Sequence, residues 1–240
     1  MRYKLFLIFC FTLFIIPSNT SAQVLGCTDL YAVNYNENAS VDDGSCEYPD
    51  NGDYALSFDG VDDYVELLDI DLPNDFTLSA SIYNNNYNNY FPIVHKYPSY
   101  ALMGQPEGYI YSHPPFPNSP ANGPDGCHIP NLPALGSWYD VAMVMQNGTV
   151  FLYLNGEIVD ICENAGFAPD NDLSTLIGKA TDASVYLDGG IDRIQIWNRA
   201  LSEVEINGQP NSNNNLVADY RFNSGSGDIL YDHSGNQNHG

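Results

Sequence analysis

Hydrophobic and polar positions alternate with a period of two over much of the chain. Phe76–Ile82 sets Phe76, Leu78, Ala80 and Ile82 against Thr77, Ser79 and Ser81, the pattern of a half-buried strand. Ile191–Trp197 does the same, with Ile194 and Ile196 on one face and Arg193, Gln195 and Trp197 on the other. Between Trp138 and Cys162, the dipeptides Asn147-Gly148 and Asn155-Gly156 punctuate alternating runs. Asn-Gly favours two-residue hairpin turns, so this stretch predicts a three-stranded antiparallel meander. Val150, Leu152 and Leu154 fall on one face of it, Phe151 and Tyr153 on the other. Shorter strands are expected at Ala55–Phe58, Tyr64–Leu67, Ile93–Lys96, Tyr100–Met103, Tyr109–Tyr111, Leu176–Lys179, Val185–Leu187 and Val217–Phe222. The period changes at Ala200–Ile206, where Ser202 can cap a short helix, Glu203 and Glu205 suit its first turn, and Leu201, Val204 and Ile206 can cover an edge. The predicted class is all-β, with two antiparallel sheets.

Two stretches break the pattern. Met1–Ala22 has Arg2 and Lys4, then an apolar run to Ile16 and small residues up to Ala22. That is the form of a signal peptide, and the run is short of the roughly 20 residues a membrane span needs. The mature chain is expected to be exported, without membrane insertion after cleavage. Ser112–Gly136 carries seven prolines together with His113, His128 and Cys127. Proline at that density excludes interior sheet and helix, so a surface flap is expected, with both histidines as ordinary loop residues.

Charge narrows the partners. The chain has 7 Lys+Arg against 30 Asp+Glu, a formal net charge of -23. Such a surface repels phosphate backbones and anionic lipid, which argues against nucleic acid. It favours cations, among them calcium, which takes carboxylate and carbonyl oxygens. With Cys10 in the signal segment, Cys27, Cys46, Cys127 and Cys162 remain. An exported chain with an even count points to disulfides. Of the three possible pairings, proximity within apparent modules favours Cys27–Cys46 and Cys127–Cys162.

Residues Gly26–Pro49, GCTDLYAVNYNENASVDDGSCEYP, are too few for a core of their own and call for a disulfide or a metal. They resemble a short repeat of exported Bacteroidetes-type proteins, GCTDxxAxNYNxxAxxDDGSC. The later motifs resemble the laminin-G-like, concanavalin A-like jelly-roll family. They are LSFDGVDDYVEL near the start, WYDVAMVMQNGTVFLYLNGEIV in the meander and IDRIQIWNRALSEVEI at Ile191–Ile206. The segment YRFNSGSGDILYDHSGNQNHG at the end is similar to another family pattern that usually precedes further sequence. The resemblance implies a two-sheet jelly-roll sandwich. The expected organisation is a signal peptide at 1–22, a small Cys- and Asp-rich module at 23–50, the jelly roll at 51–222, and at 223–240 a tail or the opening of a further domain.

Candidate sites follow from hard oxygen donors and exposed aromatics. Asp29, Asp42 and Asp43 in the module, and Asp192, Asp232 and Asn236 near the sandwich, are the expected calcium ligands; in the module, plain side-chain turns explain the same residues. Tyr83, Tyr87 and Tyr90, among Asn84–Asn86, and Phe151 and Tyr153 on one sheet face are the expected ligand contacts. Aromatic faces stack on sugar rings, and amides both donate to and accept from hydroxyls. Phe151 and Tyr153 have a second explanation, a cover formed by the proline-rich loop, which the expected Cys127–Cys162 bond would hold in place. A glycosidase needs two carboxylates projecting the same way. Glu157 and Asp160 stand at odd spacing, which sends them to opposite faces of a regular strand, so no enzyme is expected. The function expected is an exported recognition module for a glycan or a cell-surface protein, part of a larger adhesin or polysaccharide-processing protein; the rival is a spacer without a ligand.

Overall fold

The computed structural model describes residues 22–106, 108–113, 127–166, 171–181, 183–208, 210 and 213–240. The expected signal segment, save Ala22, and most of the proline-rich stretch lie outside them. The described residues form β1 (Leu56–Asp59), β2 (Val65–Glu66), β3 (Phe76–Asn84), β4 (Phe91–Lys96), β5 (Tyr100–Gln105), β6 (Tyr109–His113), β7 (His128–Ile129), β8 (Trp138–Gln146), β9 (Thr149–Leu154), β10 (Glu157–Cys162), β11 (Leu176–Ile177), β12 (Asp188–Trp197), α1 (Glu203–Ile206) and β13 (Leu216–Tyr220). The larger sheet runs β1-β12-β3-β8-β9-β10, with β13 also on β12; the smaller runs β2-β11-β4-β5-β6-β7. All named strand pairs are antiparallel. This is the all-β jelly-roll sandwich expected.

The core lies between the sheets. Leu78, Ile82, Met143, Leu152, Ile194 and Ile196 meet Ile93, Leu102, Ile110 and Ile177 there, all fully buried. Each such side chain contributes about 1.5–3 kcal/mol of transfer free energy before entropy is counted. The meander forms as the two Asn-Gly turns dictate. Asn147 and Asn155 have φ of 50°, and the glycines after them 77° and 82°, the left-handed pair that a type I′ turn needs. Strand β12 starts earlier than its alternation shows. Ile191 and Ile194 both face the core at odd spacing, and the register shift between Ile191 and Arg193 absorbs the extra residue. Val185–Leu187 makes only an isolated bridge, Lys179 to Tyr186.

Both expected disulfides are present, Cys27–Cys46 and Cys127–Cys162. The first closes the small module. The segment 223–240, expected as a tail or the opening of a further domain, folds back on β13. Asp232 bridges Tyr220 there and is fully buried. Its carboxylate accepts hydrogen bonds from the N–H groups of Asp219, Ser234 and Asn238 and from the Ser234 hydroxyl. The module seats on this segment. Tyr48 stacks on Tyr231 with ring centroids 5.6 Å apart, and Gln237 donates to Asp42 at 3.0 Å. Asp232 N–H donates to His239 Nδ1, so Nε2 carries the proton toward Asp29 Oδ2 at 2.6 Å.

Helix α1 and the residues before it cover one end of the outer face of the larger sheet. Ala200 and Ile206, with the half-buried Phe151, pack on the cluster of Ala142, Val144 and Tyr153. This segment therefore supplies cover over Tyr153; the cover expected from the proline-rich loop falls on a stretch that lies largely outside the described residues. A four-residue helix needs only one apolar side to close the gap, and Ile206 supplies it while Val204 points to solvent, 81% exposed.

Candidate functional site

Among the described residues, part of the outer face of the larger sheet is left uncovered, and cross-strand register fixes what stands there. Gly190, Tyr83 and Trp138 form one row across β12, β3 and β8; Arg193, Ser81 and Asp140 form the next; Gln195, Ser79, Ala142 and Tyr153 follow. Trp138 is 48% exposed. Its ring lies 5.5 Å from that of Tyr83 at 46°. Gly190 makes room for it, since a Cβ there would stand 3.2 Å from the indole. The polar rows line a groove of about 260 Å³ that includes Ser79, Ser81, Asp140, Asn155, Arg193 and Gln195. Arg193 is held by the buried carboxylate of Asp219, at 3.1 Å, which also binds Arg221. At the far end, Asn207 donates to Gly156 O at 2.8 Å and ties the end of α1 to the sheet. Hydroxyls, amides, one guanidinium and one carboxylate side by side with an open indole can meet both the apolar face and the hydroxyl edge of a sugar ring.

The predicted aromatics separate. Tyr83 stands on this face. Tyr87 is bound into its loop, its hydroxyl donating to Pro133 O at 2.8 Å and its ring against Phe91. Tyr90 is 37% exposed at the loop end. Asn85 and Asn86 both donate to Asp188, so these amides brace the loop against β12. Phe151 is half-buried and Tyr153 only 4% exposed beneath the α1 segment. Trp138, the most open ring of the face, and Gly190 beneath it were missed by sequence reasoning. The outward alternation Trp138, Asp140, Ala142 carried the signal, but only the register to Tyr83 shows the pair.

The predicted calcium ligands do not converge. Burial opposes the charge of Asp29, yet hydrogen bonds from the Tyr48 hydroxyl, the Tyr31 N–H and His239 hold its carboxyl below the usual value. Asp42 is held low by the Gly44 N–H, against its partial burial, and by Thr28. Asp43 accepts from the Ser45 N–H. Asp232 is filled by protein donors as described. Asn236 uses its amide nitrogen on Leu216 O and Val217 O. Asp192 sits at the β12 bulge, pushed up by burial and by Asp53 and Asp140, with Arg193 opposing. Among the described residues, the acids that do converge are Asp59, Asp62 and Asp63, all exposed, whose carboxylate oxygens lie within 4.8 Å of one another. Asp59 and Asp63 also accept turn hydrogen bonds, from the Val61 N–H at 2.8 Å and the Asp59 N–H at 3.0 Å, which leaves each a second carboxylate oxygen of the hard type calcium takes.

The separation argued for Glu157 and Asp160 is corrected by the structure. A bulge between Ile158 and Asp160 puts Glu157 opposite Leu154 and Asp160 opposite Leu152, on one face. Both oxygens of Asp160 accept backbone hydrogen bonds, from His128 and Ile161. Among the described residues, no helix is long and apolar enough to cross a membrane.

No curated protein matches the chain. Among solved structures, a candidate carbohydrate-binding protein from Bacteroides ovatus is similar at a TM-score of 0.59 and 17% identity, over 78% of this chain and 58% of that one. The chain thus spans little more than half of that relative's length. A heptameric SAP-like pentraxin from Limulus polyphemus aligns at a TM-score of 0.44 and 18% identity, over 64% and 79% of the two chains. Domain 4 of an extracellular arabinanase from Geobacillus stearothermophilus, in complex with arabinotriose, aligns at 0.48 and 18%, over 68% and 82%. Residues 59–207 match the concanavalin A-like lectin/glucanase superfamily, laminin G type, and the chain belongs to that family.

Proposed function

We propose that this chain is an exported, non-catalytic recognition domain that binds carbohydrate on the outer face of its larger sheet, within a larger adhesin or polysaccharide-processing protein. The observation that carries the reading is the open Trp138–Tyr83 pair beside the row Arg193, Ser81 and Asp140. A sugar ring would stack on the indole and turn its hydroxyls toward the groove. Membership of a family of lectins and glucanases supports a glycan over a cell-surface protein as the ligand. The expected signal segment and the two disulfides support export.

A glycan array tests the reading. Trp138→Ala should weaken the wild-type interaction by about tenfold, the scale of one lost stacking contact. Tyr87→Ala and Tyr90→Ala should matter less, because Tyr87 is fixed in its loop. Binding to no glycan would leave a spacer domain as the reading; hydrolysis of a polysaccharide by the purified chain would overturn the non-catalytic part. Calcium enters as a stabilising ion at Asp59, Asp62 and Asp63. It should raise the melting temperature by preferential binding to the folded state. Asp62→Ala with Asp63→Ala should abolish that rise; equal melting curves in calcium and in chelator would remove the ion from the account.

A further inference from the structure

The open side of the sandwich, between the edge strands β1 and β2, holds a second groove of about 530 Å³. That volume lies within the range of small-ligand pockets, about 300–1,000 Å³. Tyr54 and Tyr64 line it, with Glu66, Ser224, Ser226 and Asp228 as its other polar side chains. The tyrosines are 48% and 43% exposed. Among the described residues, neither phenol hydroxyl has a hydrogen-bond partner, nor do the side chains of Glu66, Ser226 or Asp228.

The Tyr54 ring is placed rather than loose. It lies against two bare backbones: a Cβ on Gly225 would come within 2.8 Å of it, and one on Gly52 within 3.1 Å. Both glycines have positive φ, 71° and 146°, a backbone that other residues rarely adopt. Tyr64 is held from another side, with the Lys179 ammonium 4.1 Å from its ring centroid. Two fixed, half-open rings with unused hydroxyls, and carboxylates in the same lining, match an uncharged ring that carries hydroxyls on its edge. The two acids in the lining repel anionic sugars and phosphates, in a chain of net charge -23. An apolar peptide would leave Glu66 and Asp228 desolvated and unpaired, which is costly.

We propose that this groove is a second carbohydrate subsite, specific for uncharged glycan chains and separate from the Trp138 face. It rests on the carbohydrate reading for the class of ligand but not on the location of the first site. The chain would then hold a polysaccharide at two points, and avidity would exceed either single affinity.

Calorimetric titration tests it, with xylohexaose, cellohexaose, mannohexaose and arabinohexaose as probes. The wild-type chain should bind one of these at two sites. Tyr54→Ala with Tyr64→Ala should remove one site or weaken it by about tenfold, with the melting temperature showing that the fold is kept. The Tyr→Phe pair should keep stacking and lose less. Trp138→Ala should remove the other site. A stoichiometry of one, lost in Trp138→Ala and untouched by the tyrosine variants, overturns the second subsite and leaves the first reading standing. Binding lost only in the tyrosine variants supports this subsite and overturns the Trp138 face. No binding of any probe overturns the subsite for the uncharged glycans it is proposed to hold, while array binding of a charged glycan that Trp138→Ala weakens would still sustain the outer-face reading.

Discussion

Glu205, half-buried at the edge of the sheet, receives four hydrogen bonds. Arg199 donates to both its oxygens, at 2.7 and 3.1 Å, and the Ser202 N–H and hydroxyl donate at 2.9 Å each. The Arg199 hydrogen bonds first, and the Ser202 N–H next, hold the carboxyl down at about 2, against an ordinary value of 4.5. A carboxylate depressed in the folded state stabilises it fully above its unfolded pKa, and that contribution disappears as pH falls through the folded value. Glu205→Gln should therefore cost about 1 kcal/mol at neutral pH, the scale of a lost helix cap. The difference in melting temperature between variant and wild type should shrink from pH 4.5 to pH 2. A constant difference over that window would mean that the charge of Glu205 is irrelevant. Serine, three residues before glutamate, announced this cap in the sequence. The Arg199 partner, part of a matched family motif, did not show its role until the chain turned back on itself.

At the scale of elements, the α1 segment acts as a lid over one end of the outer face. Ile206→Ala should uncover Tyr153, measured as faster nitration of that ring, and should cost about 2 kcal/mol or less, because the side chain is only partly buried. Unchanged nitration would show that Ala200 alone closes the face. Strands β3, β9 and β12 were legible because each turns one face to the core, so alternation writes itself into the residues; β8, buried on both faces from Val141 to Met145, was legible through the Asn-Gly turn that follows it. The bulges were not. Two one-residue insertions, near Asp192 and Val159, turn later side chains over, and the sequence marks neither with glycine or proline. The binding face was legible in halves. Tyr83 was visible as an outward aromatic, but Trp138 and Gly190 join it through pairing between strands about 50 to 100 residues apart, which no local pattern encodes. A cover over Tyr153 was foreseen in kind, and the contribution of Ala200 and Ile206 to it was not, because the disulfide drew attention to the proline-rich loop.

For the whole molecule, the seat of the module on segment 223–240 decides whether 24–50 behaves as a tethered bead or as part of the body. Asp29 and His239 are 210 positions apart in sequence and 2.6 Å apart in space. His239→Ala removes that bond and the ring that Tyr31 and Tyr48 meet edge-on. The expected loss is about 1–3 kcal/mol, the cost of leaving buried Asp29 short of a donor. Amide exchange within 27–48 should quicken by about tenfold while β3 and β8 keep their protection. Equal exchange in both proteins would show that the Tyr48–Tyr231 stack alone holds the module.

The same seat sets a route for mechanical load. The module and segment 223–240 lie side by side, so tension that draws them apart pulls first on Gln237–Asp42, His239–Asp29 and Asn51–Ser224. These side-chain contacts part before the ladders of β12 and β3 bear force. Under shear, the module would peel away and lengthen the tether while the sandwich, with its ligand faces, stays folded.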